Sequence, residues 1–544
     1  MRRILHIKTY LYLAAISALF FLTACTNSSV LKAGTASAAS AITITENSAV
    51  ISEASASDPA MTSPESSLII PAESSLNAKE TGTAESIPDE ELSAGNKYDM
   101  TLKLDTDNNS IGGTETVLVR NDSTDTWSEL CFRDYPSLFT PGGESGYDCD
   151  GAITDIYGVK DLTLDADLEI VRDTIDDSVV YIPLSMPLKA GESREIELTF
   201  IAYVPELASR YGYYEGVYNL ANFYPVLAVY ENGGWTADKY FLWGECFYSV
   251  VSDYDVTISV PSDYTVISSG LSQKNETSDG QSTWKILASD VRDFAMTAGA
   301  GFEVVSDTVD GITVNSYYTD GDKSRGEISL EAGIAAVEVF NDTFGKYTYP
   351  ELDIVATPLD SGGMEYPNLV MISDELDADP DKDGYLSVVV AHEVAHQWFY
   401  GLVGDDQYNE AWLDESFASY CELLYMETFT QPQDILNEVN SLEESLTSEG
   451  IPETKEDYYI NRAYSEFESD SAYTYTVYER GEVFLYRLRE AMGTDLFNKA
   501  LQDYFAEYIY QVATTDDFIS VITEYADGNT DALALLSKYL RQDT

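Results

Sequence analysis

The amino-acid sequence predicts an α+β chain of more than one domain, with an antiparallel β domain ahead of a mostly helical one. Three observations carry this. Residues 26–95 are rich in Ser, Ala, Thr and Glu and almost free of aromatics, and that composition ends abruptly. From Lys97 to about Phe302, short runs alternate apolar and polar residues between Gly, Asn and Asp turns, the period of half-buried strands. From about residue 330 the apolar period becomes helical and stays mostly so to the C-terminus. The implied segments are 1–24, 25–95, 96–302 and 303–544.

The first segment reads as a bacterial lipoprotein signal. Arg2, Arg3 and Lys8 form a basic start, and Tyr10 to Phe21 is an apolar core too short to span a bilayer comfortably. Leu22-Thr23-Ala24-Cys25 then has the small residues and the acceptor thiol of a lipobox. The plainer alternative is a secretory signal followed by a chance cysteine. An acylated Cys25 would anchor the protein to the extracytoplasmic face of the cell membrane without a spanning helix. Residues 25–95 cannot bury enough surface to offset their ordering entropy, so they are expected to be a flexible tether.

In the β segment the clearest strands are Tyr98 to Leu104, Thr116 to Val119 and Tyr254 to Val260. After Cys25 the cysteines are Cys131, Cys149, Cys246 and Cys421, with no zinc-ribbon or Cys-x-x-Cys spacing. Cys131 and Cys149 are close enough in sequence to form a disulfide on an export route, and Cys421 is expected in a core helix. The helical segment has one strand-like exception, Leu352 to Ala356. The apolar run Tyr385 to Gly404 is interrupted by two histidines and a glutamate, so it reads as a core helix rather than a membrane span.

That run contains most of the histidine in the chain. There are three histidines in 544 residues, and two of them form His392-Glu393-Val394-Ala395-His396. Four-residue spacing on a helix puts both imidazoles on one face, where they can share a metal ion, with Glu393 placed to act as a base on water. A catalytic zinc site needs a third protein ligand and an open position. Glu415 follows His396 after eighteen residues, room for one helix to end near Gly401 to Gly404 and a second to return beneath the metal. Asp414 competes with it, although helical phase presents only one of the two.

These residues resemble the zinc signature of the gluzincin aminopeptidases, the family of aminopeptidase N. The resemblance extends to Gly362-Gly363-Met364-Glu365-Tyr366, 27 residues before the first histidine at Glu365, and to Val477-Tyr478-Glu479-Arg480-Gly481 beyond the third ligand. Gly233-Gly234-Trp235 through Tyr248-Ser249 and Tyr254-Asp255-Val256 is similar to the end of that family's β-saddle domain. The likeness covers roughly residues 96 to 500.

It implies a saddle-like β domain, then a thermolysin-like catalytic domain holding one zinc ion on His392, His396 and Glu415. Zinc would acidify water and polarise the scissile carbonyl. Glu393 would take the proton and deliver it to the leaving amine, and Tyr478 would meet the oxyanion, with Tyr473 its runner-up. Glu365, on a strand with Gly362, Gly363 and Met364, would hold the peptide's free amino group.

Two departures stand out. Tyr366 replaces the asparagine after the amine-binding glutamate, and the chain ends at 544, before the large C-terminal helical domain of aminopeptidase N would be complete. The first bears on how strictly a free N-terminus is recognised and the second points to a more open cleft, and together they keep a zinc endopeptidase of the same fold as the near rival. A non-catalytic surface-binding lipoprotein is the more distant one, disfavoured because a structural zinc site needs no general base. The expected partners are peptides and, through Cys25, a membrane. A formal charge of −64 excludes nucleic acid. Asp379-Pro380-Asp381-Lys382-Asp383-Gly384 resembles the start of a calcium loop, but its twelfth position is Val390, so it reads as an acidic turn.

Overall fold

The computed structural model describes residues 95–140, 143, 145, 147, 154–241, 244–245, 247–276, 279–319, 321–378, 384–448 and 458–542. The signal, Cys25, the tether, Cys149, Cys246 and the acidic turn at 379–383 lie outside the described residues.

The N-terminal half is built on an eight-stranded sheet. Its strands run, across the sheet, Leu271–Glu276, Gln281–Val291, Ser252–Pro261, Asn96–Asp105, Ser110–Arg120, Ser193–Tyr203, Asp155–Asp161 and Ala166–Asp167. Alternation drives it: Tyr98, Met100, Leu102 and Leu104 are buried, while the residues between them are partly or fully exposed. The expectation of an antiparallel domain needs one correction. Asn96–Asp105 pairs in parallel with Ser252–Pro261, in register from Asn96 with Ser252 to Lys103 with Ser259. The two strands are more than 140 residues apart in sequence, so no turn signal reports how they meet.

A second sheet opens at Glu303, in the order Glu303–Val309, Ile312–Tyr318, Glu351–Thr357, Leu369–Ser373 and Gly363–Met364. It contains two parallel pairings, and helix α1 (Lys323–Thr343) makes the crossover between the first parallel pair. The Asp322 side chain caps α1 by accepting from the Arg325 amide. The helices that follow are α2 (Gly384–Ala395), α3 (Trp412–Glu427), α4 (Pro432–Ser448), α5 (Asp470–Thr474), α6 (Arg480–Met492), α7 (Thr494–Tyr508), α8 (Thr515–Ala526) and α9 (Thr530–Tyr539). A π-turn, Tyr475–Glu479, joins α5 to α6.

The fold places α2 between the second sheet and α3. Leu386, Val389, Val390 and Val394 bury its apolar side, and Trp398 beyond its end donates from Nε1 to the Gly345 carbonyl at 2.8 Å. The helix ends at Ala395, so His396 sits in the turn just past it rather than within the helix. Cys421 is fully buried in α3, and Cys131 is buried in the β half. Among the described residues, no helix is long and apolar enough to cross a membrane.

Candidate metal centre and active site

Helices α2 and α3 pack against each other and bring three side chains to one point. His392 Nε2 and His396 Nε2 are 3.3 Å apart, and Glu415 Oε2 lies 3.3 Å from the first and 3.4 Å from the second. Ligands about 2.0–2.1 Å from a tetrahedral ion stand roughly 3.3–3.4 Å from one another, so this triangle has the dimensions of a zinc face.

The outer nitrogens are already committed. His392 Nδ1 is 2.8 Å from Glu422 Oε1, and His396 Nδ1 is 3.2 Å from the Phe399 carbonyl, which leaves both Nε2 atoms turned inward. The donor set therefore fits zinc. Burial works against charge on His392, yet its hydrogen bonds to Glu415 and Glu422 raise it well above the usual histidine range. Burial also pushes Glu415 upward, but the two histidines hold it down at about 2. Loading a metal must displace the histidine proton, so affinity falls in acid.

Glu393 faces out of α2 beneath the strand Gly363–Met364. A methyl group on Gly363 would lie 2.3 Å from Glu393 Oε1, so only glycine lets the strand come this close. Burial raises the Glu393 carboxyl to about 8, against the pull of His392. Gly362 accepts from the Ser373 amide at 3.0 Å, and Met364 is buried in register with Met371.

Glu365 follows. It is 3% exposed, and its Oε1 has no hydrogen-bond partner. Burial, then the charge of Glu245, pushes its carboxyl well above the ordinary range. Tyr478, on the π-turn, donates to Glu415 Oε1, and its ring stacks on His392 with centroids 6.1 Å apart. Tyr473, the alternative, is buried edge-on behind Tyr478 at 6.0 Å. Asp414 stays near: one of its oxygens lies within 4.8 Å of ligand atoms of His396 and Glu365, and Oδ1 accepts from the Glu415 amide at 2.6 Å. It is Glu415 that completes the triangle.

The structure adds three residues that sequence reading missed. Glu422 orients His392 from two turns past Glu415, a spacing that could have revealed it. Gln397 donates to the Glu365 and Tyr366 carbonyls and accepts from the Asn368 amide at 2.8 Å, tying the Glu365 strand to the metal helix. A glutamine beside the second histidine, inside an apolar run, was its signal. Glu245 comes from the β half. Its carboxylate lies within 4.8 Å of those of Glu365 and Glu415 and is paired with Arg210 at 3.1 Å. Nothing in the local sequence marks it. Tyr366 is fully buried among Met364, Leu369, Met371 and Val355. Its hydroxyl has no hydrogen-bond partner and interacts electrostatically with Arg210, Glu245 and Glu365.

Residues 328–539 match the peptidase family M1 domain. Aminopeptidase M1-A of Oryza sativa subsp. japonica is 26% identical over 456 residues, covering 80% of this chain and 48% of its own length. Aminopeptidase M1-B of the same plant is 29% identical over 240 residues, covering 42% and 27% respectively. This chain thus spans about half or less of the curated relatives it matches. An M1 zinc metallopeptidase from Deinococcus radiodurans superposes with a TM-score of 0.58 at 18% identity, covering 83% of this chain and 96% of that one, a likeness of fold. With the motif set and this domain match together, residues 328–539 form a peptidase family M1 domain, and the chain is similar to the aminopeptidase N-like gluzincins.

Proposed function

We propose that this protein is a zinc-dependent aminopeptidase that releases N-terminal residues from peptides outside the cell. One observation carries the exopeptidase reading: a buried carboxylate with a partnerless oxygen, Glu365, shares a cluster with Glu245 and the metal ligand Glu415. A buried carboxylate oxygen without a hydrogen-bond partner is costly, and a substrate ammonium would satisfy it. Fixing the amine there sets the scissile bond one residue along, which is the geometry of single-residue release.

When bound by His392, His396 and Glu415, zinc supplies Lewis acidity toward water and the scissile carbonyl. The chain's own residues do the rest. Glu393, turned toward the strand beside the metal-binding histidines, is placed to take a proton from water and return it to the leaving amine. The Tyr478 hydroxyl, beside Glu415, is placed to donate to an oxyanion. The strand Gly363–Met364 lies at a sheet edge, where an extended peptide can add alongside it.

Free and N-acetylated peptides test the reading, with and without chelator. Chelator-sensitive release of first residues from the free peptides is expected, and equal cleavage of the blocked ones would mark an endopeptidase. Glu393→Gln should abolish hydrolysis and keep zinc; undiminished turnover would remove the base assignment.

Export and lipid anchoring at Cys25 are part of the same proposal, supported by the basic start, the apolar core and Leu22-Thr23-Ala24-Cys25. A Cys25→Ser chain still found in the membrane fraction would count against the anchor.

A further inference from the structure

Two adjacent residues of α3 hold two adjacent residues of the π-turn. Glu415 accepts from the Tyr478 hydroxyl, and the Ser416 hydroxyl donates to the Val477 carbonyl. Ser416 and Val477 are both fully buried. A π-turn shifts carbonyls off the ordinary helical ladder, so its phase depends on outside contacts. Gly481, at the start of α6, makes the second contact possible: a Cβ there would lie 1.8 Å from Ser416 Oγ. Glycine opens a slot, serine fills it, and the carbonyl just before Tyr478 is caught.

We propose that Ser416 is a positioning residue for Tyr478, acting through the Val477 carbonyl; this rests on the role given to Tyr478 above. A phenol has one proton to donate. When the Tyr478 hydroxyl donates to an oxyanion it cannot also donate to Glu415, so the side-chain half of the two-point hold is released during the reaction. The Ser416 bond does not touch substrate, metal ligand or phenol, and it persists. It fixes the rotation of the turn, and therefore the reach of Tyr478, when the other contact is given up. A slack turn costs orientation rather than binding.

The test uses the full chain loaded with zinc. Ser416→Ala should lower kcat about tenfold, with KM within about twofold and zinc content unchanged. In a Tyr478→Phe background the same substitution should change kcat less than about twofold, because the two act through one group. Equal losses in both backgrounds, or no loss in the first, overturn the proposal.

Hydrogen exchange on the zinc-free protein gives a readout independent of activity. Amides at 475–481 should exchange about tenfold faster in Ser416→Ala while those of α3 stay protected, and unchanged exchange overturns the hold. If Tyr478→Phe itself keeps wild-type kcat, the function assigned to Tyr478 is wrong. The exchange result alone then supports or overturns Ser416 as the holder of the turn.

Discussion

Gly363→Ala should separate catalysis from folding at this site. The added methyl would meet Glu393 Oε1 at 2.3 Å, Cδ at 2.5 Å and Cγ at 2.5 Å. Ordinary carbon contacts begin near 3.5 Å, so the carboxylate has to move by about 1 Å. The three nearest atoms all belong to the one flexible side chain of Glu393, so the stability cost is small. The catalytic cost is not small, because a misplacement of about 1 Å at a reacting group is worth on the order of a hundredfold. The expected variant folds, melts within a few degrees of wild type, binds zinc fully, and loses about a hundredfold in kcat. Steady-state kinetics on an aminoacyl substrate, beside thermal melts and metal analysis, measure all of this. A zinc-loaded variant with kcat within threefold of wild type would refute the reasoning, since Glu393 would not then need its present position.

Other substitutions probe the supports of the site. Glu422→Ala removes the partner that orients His392 and should weaken zinc about 10- to 100-fold, read by competition with a chelator; unchanged affinity would show that Glu422 is incidental. Arg292 is buried and donates to three carbonyls, those of Tyr400, Ser249 and Gln511, on separate segments. Arg292→Met removes all three bonds; the Gln511 carbonyl keeps the Gly404 amide, but those of Tyr400 and Ser249 lose their donor, which should cost at least about 2 kcal/mol in denaturant unfolding. Asp293 is buried, which raises its carboxyl to about 7 against hydrogen bonds from Asn222 and Tyr400. The native state then keeps a proton that the unfolded chain loses near pH 4, so this group takes stability away as pH rises from about 4 to 7 and no further above that. Asp293→Asn should flatten that slope, and parallel wild-type and variant curves across the window would refute it.

The metal ligands were legible because their geometry is local. Four-residue spacing fixes the histidines, and an eighteen-residue return fixes Glu415 to within one helical position. The rest was hidden for particular reasons. Leu369–Ser373 is buried at every position, so it shows no alternation, and a continuous apolar run reads equally as strand or helix. The hairpin from Glu303 to Tyr318 did carry a signal: Asp310 and Gly311 form its turn with φ of 53° and 87°, the Asp-Gly pair such a turn favours. Glu245 could not be read at all. It reaches Glu365 only because the β half packs against the catalytic half, and tertiary packing across 120 residues leaves no mark on local pattern.

That hidden residue bears on the departure at Tyr366, which concerned recognition of a free N-terminus. Tyr366 stands where the family has asparagine; its ring is buried in a core cluster, while its hydroxyl has no hydrogen-bond partner and interacts electrostatically with Arg210, Glu245 and Glu365. The carboxylates beside the metal ligands that a free amine could meet are Glu365 and Glu245. Arg210 balances the charge of Glu245, while Glu365 has no such partner and an oxygen to spare. An ammonium between them would gain charge-assisted bonds to both. Glu245→Gln keeps the shape and one acceptor but removes a charge, which in a buried site is worth about 1.5–3 kcal/mol. KM for free-amine substrates should then rise about tenfold or more, while the slow cleavage of an N-acetylated analogue should change less than twofold. An equal effect on both substrates would mean that Glu245 serves the fold or the metal. The exopeptidase reading would then rest on Glu365 alone.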